Sequence, residues 1–151
     1  AVLALSPDDG SGRAVEGVFG YEVKRNGRGL VSLLFHDYLY SGGANGRTVV
    51  TGLTFSSRDG QVYRLQDLFK NEETYGAVLD EHIRRQLRDR GLESQLLKSF
   101  SGITKDACFY LTATDLVIVI QELDWFPHSM GSVEFPIPLS ELSMYTQDVL
   151  K

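Results

Sequence analysis

Tyr75, Leu79, Ile83 and Leu87 recur at strict i+4 spacing, widened by Val78, and this stripe marks one long amphipathic helix between runs that read as strands. Asn71 is the expected N-cap, with Glu72 and Glu73 in a first turn where the helix dipole favours negative charge. Gly91 supplies a C-terminal stop, so the helix is expected to run to about Arg90. A shorter helical piece is expected over Glu93 to Phe100.

The flanking segments carry strand signals. Alternation over Val18 to Val23 breaks at Asn26-Gly27 and resumes from Leu30 to Tyr40, which predicts a hairpin whose second strand is long and central. Thr48 to Phe55 is rich in β-branched residues and turns at Arg58-Asp59-Gly60 toward Gln61-Val62-Tyr63. Further strands are expected at Cys108 to Thr112, Leu116 to Trp125 and Ser132 to Ile137. Pro138 then starts a last helix, with Leu142, Tyr145 or Thr146, and Val149 on its apolar side. This order predicts an α+β fold: a largely antiparallel sheet with one long central helix and a C-terminal helix packed on it.

With 151 residues and 42% hydrophobic content, the chain is sized for a single core. Pro7-Asp8-Asp9-Gly10-Ser11-Gly12 has too few large apolar side chains to offset ordering entropy, so residues 1–17 read as a flexible tail and 18–151 as one domain. A net charge of -5 argues against nucleic acid, since phosphate neutralisation needs clustered cations; Arg84, Arg85, Arg88 and Arg90 read as a solvated helix face. An acidic surface suits a cationic partner. No apolar run reaches the roughly 18 residues of a membrane span. A lone cysteine, Cys108, excludes an intramolecular disulfide and reads as a small buried hydrophobe.

The loop Ser41-Gly42-Gly43-Ala44-Asn45-Gly46 joins two strands. It is no phosphate cradle: Arg47 stands where a P-loop needs lysine, the glycine spacing is one short, and a strand follows. His36, His82 and His128 lie in no metal-ligand pattern. Glu122 and Asp124, placed on one strand face about 6 to 7 Å apart, have glycosidase-like separation, but same-strand carboxylates more often mark a polar strand end. Trp125 is the best candidate for an exposed stacking residue among aromatics that otherwise read as core. No G-x-S-x-G elbow is present. No cofactor or metal site is expected.

Tyr40 and the glycine loop, together with Gly60-Gln61-Val62-Tyr63-Arg64-Leu65-Gln66-Asp67-Leu68-Phe69, resemble the "Y-x-G-G-A-H … t-G-k-x-y-x-L-x-D-L-F" signature of the bacterial DUF3298 family, the C-terminal domain of RsiV-type anti-sigma factors. Glu122 to Gly131 resembles the family's "y-e-x-x-p-Y-a-x-G" turn, and Val133 to Leu142 its "x-x-i-p-y-x-x-l" ending; the resemblance spans about Gly29 to Val149. The strands before Leu30 look like the tail of the DUF4163 region often found ahead of it. Asn45 replaces the family's usual His, and His128 and Ser129 its usual Tyr and Ala.

The resemblance implies a non-catalytic, extracytoplasmic binding or sensing domain of a bacterial envelope or secreted protein. Its implied partner is a protein such as lysozyme or, alternatively, a peptidoglycan or other cell-wall glycan, the latter also as the accessory domain of a cell-wall enzyme. No family catalytic residue carries over. The ligand-binding candidates are Gly42, Gly43 and Asn45 on the glycine loop and Asp124, Trp125 and His128 on the later one.

Overall fold

The computed structural model describes residues 16–40, 42 and 44–150; the expected tail, residues 1–15 of it, lies outside them. Glu16 and Gly17 already belong to the first strand. That strand, β1 (Glu16–Gly27), pairs antiparallel with β2 (Leu30–Tyr40), which pairs antiparallel with β3 (Arg47–Ser56). The β1–β2 turn is Arg28-Gly29, both with positive φ, rather than the expected Asn26-Gly27. A bulge between Val23 and Arg25 absorbs one residue, so pairing continues through Gly27 opposite Leu30.

The second antiparallel sheet has the order β4 (Cys108–Leu111), β5 (Asp115–Ile120), β6 (Val133–Pro138). Its alternation faces two ways. Leu111, Leu116, Ile118, Ile120, Phe135 and Ile137 join a core with Leu79, Ile83 and Leu87 of α1 (Tyr75–Asp89). Tyr110, Val117 and Val119 form a smaller core with Leu34 and Val50 of the first sheet. The second sheet therefore lies between the helix and the first sheet, which explains why β5 is apolar without interruption from Leu116 to Ile120. Each fully buried leucine or isoleucine of the helix stripe contributes about 2 kcal/mol.

Close backbone approach joins the two sheets. A Cβ on Gly52 would collide with the carbonyl of Phe109, so only glycine lets β3 pass over β4 there. Beside this crossing, the Leu111 N–H donates to Ser32 Oγ at 2.9 Å, and Ser32 and Thr54 share a buried hydroxyl hydrogen bond of 2.8 Å. These buried polar groups are satisfied across the layer boundary, which fixes the register of one sheet over the other.

Four local expectations are corrected. The helix starts at Tyr75; Asn71 instead closes a preceding turn by accepting the Glu73 N–H at 2.8 Å. Over 93–100 only a 3-10 turn, Glu93–Gln95, forms. Strand β5 ends at Ile120, because Gln121 to Asp124 turns back with Leu123 at φ 67. The C-terminal helix is a single turn, α2 (Leu139–Leu142): the following residues pair with the 68–70 segment, through Lys70 N–H to Tyr145 O and Gln147 N–H to Leu68 O, both 2.8 Å.

Candidate binding surface

The turn after β5 docks on the outer edge of β3. The Gln121 amide donates to the Val50 carbonyl at 2.6 Å and accepts the Val50 N–H at 3.0 Å, imitating a paired strand residue. Glu122, only 5% exposed, accepts the Thr48 N–H on Oε2 at 3.2 Å, while its Oε1 meets His128 Nδ1. Alternate edge N–H groups of β3 are thus closed off by side chains, which removes that edge as a template for another strand. The same contacts bring the 121–131 loop to the start of β3, directly after the glycine loop.

Of the expected site residues, Gly42 (φ 86), Asn45 and Asp124 are exposed, and His128 is half-buried against Glu122. Gly43 lies outside the described residues. Glu122 and Asp124 do not share a strand face: the first is buried and the second exposed, because the strand has already ended. Trp125 is half-buried rather than a free platform. Its ring packs on Phe100 (centroids 4.8 Å), Phe135 (6.0 Å) and Phe126 (6.5 Å). Trp125 and Asp124 line a cavity of about 120 Å³ with Gln121, Cys108 and Asp106. That is small beside the roughly 300 to 1,000 Å³ of a usual ligand site.

Within the glycine loop, Gly46 has a packing role: a Cβ there would run into the Tyr38 ring. Each histidine faces one glutamate, His36 Nε2 with Glu22 at 2.9 Å, His82 Nδ1 with Glu141 at 3.3 Å, and His128 with Glu122. Among the described residues no group of three or more His, Cys, Asp or Glu is arranged to hold a metal ion, and no helix is long and apolar enough to cross a membrane.

The outer face of the first sheet carries several exposed or half-buried apolar side chains. Ser32 and Thr54 point toward β4, so the alternate residues point away. By register the apolar ones are Phe19, Tyr21 and Val23 on β1, Val31, Leu33, Phe35 and Leu39 on β2, and Val49, Leu53 and Phe55 on β3, with Asp37 and Thr51 among them and Arg47 at one end. None belongs to either core or packs against one. Tyr21, Val23 and Leu39 are 54%, 56% and 59% exposed, and Phe35 is stacked by Phe19 and flanked by Tyr21. So many apolar side chains on one sheet face are unusual on a free surface. The signal was present in β2, where both phases of the alternation are apolar: Leu30 and Leu34 inward, Val31, Leu33 and Phe35 outward.

The architecture is a two-sheet α+β domain with one helical layer. The chain belongs to the DUF3298 family through residues 66–140, which match the family described as "Protein of unknown function (DUF3298)". Two solved structures share the fold. A DUF3298 family protein from Pseudomonas aeruginosa PAO1 has a TM-score of 0.71 and 20% identity, covering 89% of this chain and 63% of that one. A DUF3298 family member from Bacteroides fragilis NCTC 9343 has a TM-score of 0.75 and 21% identity, covering 89% and 55%. The chain therefore spans about three-fifths of the length of these relatives. No curated protein matches it. The apolar sheet face lies wholly before the matched segment.

Proposed function

We propose that this chain is a non-catalytic, extracytoplasmic binding or sensing domain of a bacterial envelope or secreted protein, and that it recognises a protein partner through the outer face of the β1–β2–β3 sheet. The aromatic and aliphatic side chains of this face, from Phe19 to Phe55, which join neither core among the described residues, carry this reading, because burying such surface is the main favourable term in protein association. Leu39 and Arg47, paired at the end of the face, adjoin the glycine loop, so Asn45 extends the surface as a polar rim.

The net charge of -5 and the resemblance to RsiV-type proteins favour a basic protein, and lysozyme is the partner to test. A glycan is favoured less, since the Trp125 ring is engaged by three phenylalanines. Calorimetric titration with a lysozyme at low and moderate salt separates docking from charge attraction. Micromolar or tighter binding that survives moderate salt supports the reading. Heat that vanishes with salt, or only with soluble peptidoglycan fragments, contradicts it.

A further inference from the structure

The bulge in β1 places Lys24 and Arg25 consecutively on the inner side of the first sheet, and their surroundings differ. The Lys24 ammonium is paired with Glu22 at 3.2 Å and lies 4.9 Å over the Tyr110 ring. Arg25 is only 7% exposed, yet among the described residues it donates to two backbone carbonyls alone, Thr112 O at 3.3 Å and Gly27 O at 3.5 Å. Among the described residues no carboxylate lies within ion-pair distance of Arg25 or of Arg28.

A buried guanidinium without a counter-charge is costly. Its second cation makes the imbalance worse: burial and then the neighbouring Arg28 charge both push the Arg25 pKa down. Arg28 also occupies a turn position with φ 54, where Asn, Asp or Gly is cheaper, so its side chain is kept there at a backbone cost. Both arginines line one recess of about 320 Å³ together with Lys24, Asn26, Gly27 and Ala113. In a chain of net charge -5, this is a local concentration of positive charge whose remaining guanidinium N–H groups have no partner among the described residues and suit a planar acceptor.

We propose that this recess is an oxyanion site, in which Arg25 and Arg28 bind a carboxylate or phosphate group. It is separate from the recognition face, being on the opposite side of the same sheet, and does not depend on it. Guanidinium forks match both oxyanions, so the chemistry is shared and the source is settled by titration.

The test is thermal unfolding of the whole chain at constant ionic strength, with chloride replaced stepwise by inorganic phosphate or by succinate, alongside backbone amide NMR. Saturable stabilisation at millimolar ligand is expected, with the largest amide shifts at Gly27, Gly29 and Ala113; whichever anion saturates first identifies the class. Arg28→Gln is expected to weaken binding by about tenfold or more, with an unfolding midpoint in chloride no lower than the parent's because a like charge beside Arg25 is removed. Unsaturable or absent effects of both anions, or saturation unchanged in Arg28→Gln, overturn the proposal. Arg25→Lys is a second variant: it keeps the charge but loses the fork, and weaker binding without global unfolding supports the site.

Discussion

Gln121 holds Val50 through both of its backbone groups, a side-chain amide standing in for a strand residue at the edge of β3. Because Glu122 also accepts the Thr48 N–H, the turn after β5 positions the glycine loop relative to the rest of the domain. Gln121→Leu keeps the side-chain bulk but strips the Val50 N–H and carbonyl of these partners. Loss of about 1 to 3 kcal/mol is expected in urea denaturation, with the largest amide-exchange increase along Thr48 to Val50.

Gly52 and Gly76 make opposite predictions for the same substitution. Gly52→Ala drives a methyl into the Phe109 carbonyl where two backbones meet, so a loss of about 3 kcal/mol or more is expected. Gly76 lies in α1 with nothing within 4 Å of an added Cβ, and Gly76→Ala is expected to gain about 0.5 to 1 kcal/mol. Unfolding midpoints of the two variants check both signs.

Burial pushes the Cys108 thiol up to about 11, outweighing the Gly52 backbone hydrogen bond, with the Glu134 charge adding to the rise. A raised folded value favours the neutral thiol, so its contribution to stability is fully present below the unfolded thiol pKa and is lost as pH climbs from there toward 11. Native protein at pH 8 is expected to react with a thiol-specific disulfide reagent on the order of a hundredfold more slowly than the urea-unfolded chain. Equal rates would show that Cys108 is open to solvent.

Asp67 accepts three hydrogen bonds from Arg64, on the backbone N–H (2.8 Å), Nη2 (3.0 Å) and Nε (3.3 Å), and the Arg64 side-chain contact above all holds its carboxyl below the usual range. A lowered folded value stabilises the fold above the unfolded carboxyl pKa, and the contribution fades as pH falls through the folded one. Asp67→Asn is expected to cost less than about 1 kcal/mol at neutral pH, given the exposure of Arg64. The difference from the parent should shrink in acid, as read from urea midpoints across pH.

Much of this fold was legible because its signals are local. The helix stripe from Tyr75 to Leu87 is buried at all four positions, and Gly91 ends it with φ 66. The strands of both sheets follow their alternation. What escaped depends on distant partners. Leu123 and Trp125 continue the apolar pattern of β5, yet Gln121 leaves the strand to satisfy Val50, which lies in another sheet. Likewise Tyr145 and Thr146 keep helical spacing but pair with Lys70 and Phe69 instead. The sequence pointed to the loops around Asn45 and His128 and not to the outer sheet face, because a strand apolar on both sides reads as buried.

Recognition of a protein by the outer face of the first sheet is tested directly at Tyr21. Tyr21→Asp puts a charge on that face, beside Phe35 of the central strand, without touching either core. Calorimetric titration with lysozyme at moderate salt, on the parent and on Tyr21→Asp with matched unfolding midpoints, is the most direct measurement. The account predicts micromolar or tighter binding by the parent and at least about a tenfold loss in the variant. Undiminished binding by Tyr21→Asp would place recognition elsewhere, and no binding by a parent that dimerises through this face would make it a self-interface.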